Sequence, residues 1–139
     1  MAGDGGISKL EKRLKAIPQQ VREAVQPTLQ KQAGGMVSTM RHLVPKDTHA
    51  LEESIQFTPG GQRTPAYSQP GGSMTVPENM VAITVGNTDV RYGHLVEYGT
   101  MHANAQPFFW PAVRLHNKKA KASVKRAIGR AVKKNWGKP

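Results

Sequence analysis

The sequence contains no cysteine, which excludes disulfide cross-links and thiolate metal sites. It also lacks any apolar run near the roughly 20 residues needed to cross a membrane, and residues 1–4 show no signal-peptide pattern. A soluble protein made in the cytoplasm, with no membrane partner, is therefore expected. Acidic residues are absent after Val113. Residues 1–113 carry ten Lys/Arg against nine Asp/Glu, whereas residues 114–139 carry the other ten Lys/Arg and no acid. There is no Walker A loop, no GxGxxG, no GxSxG and no HExxH, so neither an enzyme nor a cofactor is expected.

At 139 residues, the length suits a single domain with one modest core. Residues 1–6 are Gly-rich, which predicts disorder. Leu10, Leu14 and Ile17 recur at helical spacing. Val21, Val25, Leu29, Ala33, Met36, Val37, Met40 and Val44 continue one apolar stripe, so 7–44 reads as helical. Pro27 cannot donate to residue 23, which predicts a kink or break there, and Gly34-Gly35 marks either a soft point or a close helix approach. Val44-Pro45 should end the helix. Asp47 or Thr48 is placed to cap a further turn through Leu51. SIQFT (54–58) and MVAITV (80–85) read as strands of a small antiparallel sheet spanning 54–85. The connection between them, 59–79, holds four Pro and four Gly and is expected to be a long hairpin-like connection or a mobile loop, mobile in the free subunit and extended outward as a hairpin arm in an assembled ring. The fold class is accordingly α+β: a long N-terminal helical segment, a small sheet with a long loop, and a basic C-terminal helix over 108–134.

Five of the eight aromatic residues fall within 92–112, which marks the place where the core closes. Within it, Glu97-Tyr98-Gly99-Thr100 ends a short apolar run on a glycine suited to positive φ, and Pro107 and Pro111 bracket the start of a helix. The pattern HLVEYGT, a short spacer, then AQPFFWPA before a basic helix resembles the signature of a family of tail-component proteins from long-tailed bacteriophages. A second segment, Val44-Pro45-Lys46-Asp47-Thr48-His49-Ala50-Leu51 with Ser54-Ile55, is similar to that family's VP-x-DTG-x-L-x-x-SI, with His49 where the family usually has Gly. The resemblance makes Asp47, Thr48, Leu51, Glu97, Gly99, Thr100, Pro107, Phe108 and Pro111 structural signature positions.

The resemblance implies a structural virion protein at the head-to-tail junction. It would form a ring of copies of itself, six being the implied number, between the head connector and the tail tube. A tail-tube terminator ring and a basic DNA-binding accessory protein are the alternatives. Three consecutive aromatics at a helix start point in different directions, so Phe109 and Trp110 are interface candidates, joined by Tyr67, Met74 and Val76 in the long loop. Met36 and Met40 also suit adaptable packing between subunits. Arg114, Lys118, Lys121, Lys125, Arg126 and Arg130 form a basic surface, which is either a solvated helix face or a site for nucleic acid, an anionic membrane or an acidic protein surface, and charge alone does not rank these; non-specific contact with DNA in the channel is one such partner.

Other chemistry is weaker. Asp47-Thr48 is similar to part of an aspartic-protease motif, but that mechanism needs two carboxylates and this chain has one copy. His94 and Glu97 lie one helical turn apart, as an acid-base pair or metal ligands would. The better account has Glu97 accepting hydrogen bonds from nearby backbone or from Arg91, holding the Gly99 corner in place.

Overall fold

A computed structural model describes residues 19–46 and 49–136, with side chains described as far as residue 134. Asp47, Thr48 and the expected helix within 7–18 lie outside the described residues. The elements run α1 (Gln19–Leu43), α2 (Ala50–Ser54), β1 (Gln56–Thr58), β2 (Ala82–Thr84), α3 (Gly93–Tyr98) and α4 (Phe109–Trp136). The α+β architecture is the expected one, with a long helix first, a two-stranded antiparallel sheet, and a basic helix last.

The apolar stripe of α1 buries Val21, Val25, Ala33, Val37 and Met40. It does so against α4, and the two helices run antiparallel. Val21 and Val25 pack with Ala127 and Ala131, while Val37 and Met40 join Phe108 and Ala112 at the other end. The alanines on α4 keep the helix axes close. Thr39 Oγ1 and His116 Nε2 lie 2.6 Å apart across this contact. A Cβ on Gly35 would stand 3.7 Å from His116 and one on Gly34 3.7 Å from Phe57, both ordinary contact distances, so neither glycine is required by a close helix approach. Met40 is fully buried in this core, which corrects the expectation that it is available to a neighbouring subunit.

Pro27 neither breaks nor ends α1. Its missing N–H costs one backbone bond. Burial on both sides of it, at Val25 and Ala33, holds the flanking turns in one helix. The strands are shorter than expected, three residues each, paired Gln56↔Thr84, Phe57↔Ile83 and Thr58↔Ala82. Ser54 belongs to α2 instead, where its hydroxyl donates to Leu51 O at 2.7 Å and accepts from Gly86 N at 3.1 Å. That second bond ties α2 to the turn after β2.

The long connection is organised by backbone hydrogen bonds of its own. Gly61 N donates to Val76 O, Val76 N to Gln62 O, and Thr64 N to Met74 O, forming a short irregular ladder. Farther along, Gln69 and Val85 exchange both backbone hydrogen bonds, at 2.9 and 3.0 Å, which folds the loop tip back beside the end of β2. The peptide bond between Gln69 and Pro70 is cis. Thr64, Ser68 and Val76, all buried, give the loop a packing of its own that its Pro and Gly content does not announce.

Candidate assembly site

The α3–α4 junction is built around one carboxylate. Helix α3 ends at Tyr98, and Gly99 turns the chain with φ 79° and ψ 173°, a region essentially reserved for glycine. A Cβ there would lie 2.7 Å from Ala105 N and 3.1 Å from Ala103 O, so the backbone of the returning loop also needs the space. Thr100 closes that loop. Its N–H donates to Ala103 O, and its Oγ1 accepts from the N–H groups of His102 and Ala103. Gln106 N then donates to Val96 O at 2.8 Å, bringing the chain back beside α3.

This return places the start of α4 over Glu97. The first four amide positions of a helix have no partner within it. Here Phe108 N and Phe109 N donate to Glu97 Oε1, at 3.0 and 2.8 Å, and Trp110 N donates to Oε2 at 3.2 Å. The fourth position is Pro111, which has no N–H. The account is therefore complete, and the buried carboxylate also meets the positive end of the α4 dipole. Glu97 accepts backbone hydrogen bonds, and Arg91 is not its partner. The Arg91 guanidinium lies 3.7 Å over the Tyr67 ring, and its Nε donates to Thr88 O. His94 lies within 3.3 Å of Gln69 Nε2, apart from the Glu97 oxygens. Among the described residues, no group of three His, Asp or Glu could hold a metal ion.

The junction sends its aromatic side chains in different directions. Phe108 is 1 % exposed in the core, with Leu51, and Phe109 packs partly buried against it. Trp110 is 45 % exposed, and its Nε1 donates to the Tyr98 hydroxyl at 2.7 Å. Tyr98 itself is 68 % exposed and Met101, in the loop, 94 %. A cleft of about 120 Å³ opens beside them, walled by Pro70, Val85, Gly93 and Phe109. Rigid capping thus holds an outward-facing aromatic pair in a fixed orientation. Pro107 is exposed at the approach to α4, and Pro111 is partly buried in its first turn.

The other interface candidates divide. Tyr67 and Met74 are exposed on the long loop. Val76 is only 2 % exposed, buried where Gly61 and Gln62 pair with it, so it is corrected from an anchor for a partner to an anchor for the loop. Arg114, Lys118, Lys121, Lys125, Arg126 and Arg130 are all exposed on α4. His49 adopts φ 61° and ψ −9° at the start of α2, the left-handed conformation in which the resembling family has Gly. Its ring instead reaches Glu52 at 3.1 Å.

A family model described as "Bacteriophage HK97-gp10, putative tail-component" matches residues 8–99, well over half of the chain. The match takes in α1, the sheet, the long loop and α3, and ends at the Gly99 corner; α4 lies beyond it. No curated protein and no solved structure matches the chain.

Proposed function

The chain belongs to the HK97-gp10-like family of bacteriophage tail components, and from that premise we propose that it is a structural protein of the virion's head-to-tail junction. Copies of it associate in a ring, six being the number that the sequence resemblance implies, and the ring joins the tail to the head connector. Its mechanism is assembly rather than catalysis. The observation that carries this reading is the corner at Glu97 and Gly99. Three charge-assisted bonds fix the start of α4, and that fixed frame presents Trp110, Tyr98 and Met101 outward. Large aromatic side chains that are rigid before binding lose little entropy on docking, which suits an interface hot spot.

The test uses the phage that encodes the protein. With Tyr98→Ala and Trp110→Ala together, filled heads and complete tails should accumulate unjoined, while the purified variant melts close to the wild type. The reading is overturned if joined particles form at the normal yield, or if mass spectrometry of purified wild-type virions does not find the chain.

A further inference from the structure

Helix α4 carries nine Lys and Arg and no Asp or Glu, and every one of the nine is exposed. Eight of them fall into two rows, and Lys134 lies outside both. At about 100° per residue, Arg114, Lys118, Lys121 and Lys125 lie within about 60° of one another around the axis. Lys119, Arg126, Arg130 and Lys133 form a second row of similar width. Both rows point away from the buried Ala120, Ala127 and Ala131 that meet α1. Between them run Leu115, Ala122 and Gly129, which offer no hydrogen-bonding side chain.

Nothing described in the chain compensates this charge. Among the described residues the ion pairs are Lys46–Glu52 and His49–Glu52, neither of which involves a residue of α4, and the side-chain hydrogen bond of Arg126 goes to Ser123. A second copy of the chain is a poor partner for this face, since each copy carries a net charge of +11. An acidic protein would need a matching ridge of carboxylates. A nucleic-acid duplex supplies one regardless of sequence, at about one negative charge per 1.7 Å of axis. Along α4, nine positive charges are spread over about 30 Å, given a rise of about 1.5 Å per residue.

We propose that the outer face of α4 binds the phosphate backbone of double-stranded DNA without sequence preference. The rows supply charge for phosphates, and the uncharged strip between them supplies nothing that reads base edges. This inference does not depend on ring formation or on the head-to-tail reading.

The experiment is fluorescence anisotropy of a short labelled duplex of mixed sequence with the purified full chain. One side of a helix engaging about four phosphates gives a slope of log K against log salt near −3.6, so affinity should fall about 10²-fold over a fourfold rise in salt. The triple variant Lys118→Glu, Lys121→Glu, Lys125→Glu should lower affinity more than tenfold and flatten the slope, with an unchanged circular dichroism spectrum and melting temperature. The variant Arg126→Glu, Arg130→Glu, Lys133→Glu reads the second row in the same way, and Arg63→Glu, exposed on the long loop and outside both rows, should bind as wild type does. Shuffling the duplex sequence should change nothing. The proposal is overturned if no binding occurs at low salt or if both row reversals bind as wild type does. It is equally overturned if polyglutamate of equal charge binds the chain as tightly as the duplex, which would point to an acidic protein partner.

Discussion

The Glu97 carboxylate and the Phe109 amide, 12 positions apart in sequence, meet at 2.8 Å, and the same carboxylate takes the amides on either side. A helix N-terminus is usually capped by the residue just before it. In this protein the cap comes from a separate helix, so the bond that satisfies α4 also fixes its direction relative to α3. Glu97→Ala would leave the amides of Phe108, Phe109 and Trp110 without an acceptor, at a cost of about 2 to 3 kcal/mol. Glu97→Gln retains an acceptor oxygen but loses the charge and turns N–H toward N–H, so about half that loss is expected. Chemical denaturation of both variants checks the order. Equal stability of Glu97→Ala and wild type would remove the cap from the account.

Gly99 and Gly61 both have positive φ, 79° and 84°, but only one is crowded. A Cβ on Gly61 meets nothing within 4 Å, whereas one on Gly99 meets the backbone of Ala105 at 2.7 Å. Alanine at each site sets positive-φ strain alone at Gly61 against strain and collision together at Gly99. Gly61→Ala should cost about 1 kcal/mol for the left-handed backbone alone. Gly99→Ala should cost more, and Gly99→Val about 3 kcal/mol, because the opposing atoms are main chain and cannot rotate away. Thermal melts that rank Gly61→Ala as the more damaging would contradict this.

Much of this corner was legible from the residues. A glycine closing an apolar run, prolines bracketing a helix start, and a carboxylate two residues before the glycine each carry a local rule, and the structure obeys all three at Gly99, Pro111 and Glu97. The long-range contacts were not legible. Nothing local announces that Thr39 meets His116, or that Arg91 turns to Tyr67 instead of Glu97. At Pro27 the helix continues without a break, with burial at Val25 and Ala33 holding the turns on either side of it. In residues 59–79 the Pro and Gly content correctly predicted irregular backbone. It concealed the ladder, because the polar residues that organise it are scattered singly.

At the start of α2, hydrogen bonds from His49 first and Lys46 second hold the Glu52 carboxyl below its usual value of 4.5. A lowered folded value means that the ionised form stabilises the fold. This contribution is present above the unfolded value and is lost as pH falls through the folded one. Glu52→Gln should therefore melt below wild type at neutral pH, and the gap should close as pH falls through the folded value. The effect is small because the pair is open to solvent. A gap that stays constant across the titration would show that the substitution acts through packing.

The long loop supplies the last prediction, through Thr64. Its side chain is buried, with Oγ1 accepting from Met74 N at 2.8 Å and donating to Gly72 O at 3.0 Å. The backbone of Thr64 pairs with Met74 as well, so this one residue locks both sides of the ladder through main chain and side chain. Valine has nearly the same shape and lacks the hydroxyl. Thr64→Val should leave Met74 N and Gly72 O without that partner, and the cost, about 1 to 3 kcal/mol, should fall on the loop rather than on the α1–α4 core. Hydrogen exchange locates it. In the wild type the amides of Gly61, Thr64, Val76 and Gln69, all donors to backbone carbonyls, should exchange more slowly than their neighbours. In Thr64→Val the first three should lose protection, while Gln69, which pairs with Val85 at the far end, and Val37 in α1 keep theirs. Uniform loss across the loop and α1 would mean that the loop and core unfold as one unit, and no loss at all would mean that the Thr64 hydroxyl does not hold the ladder.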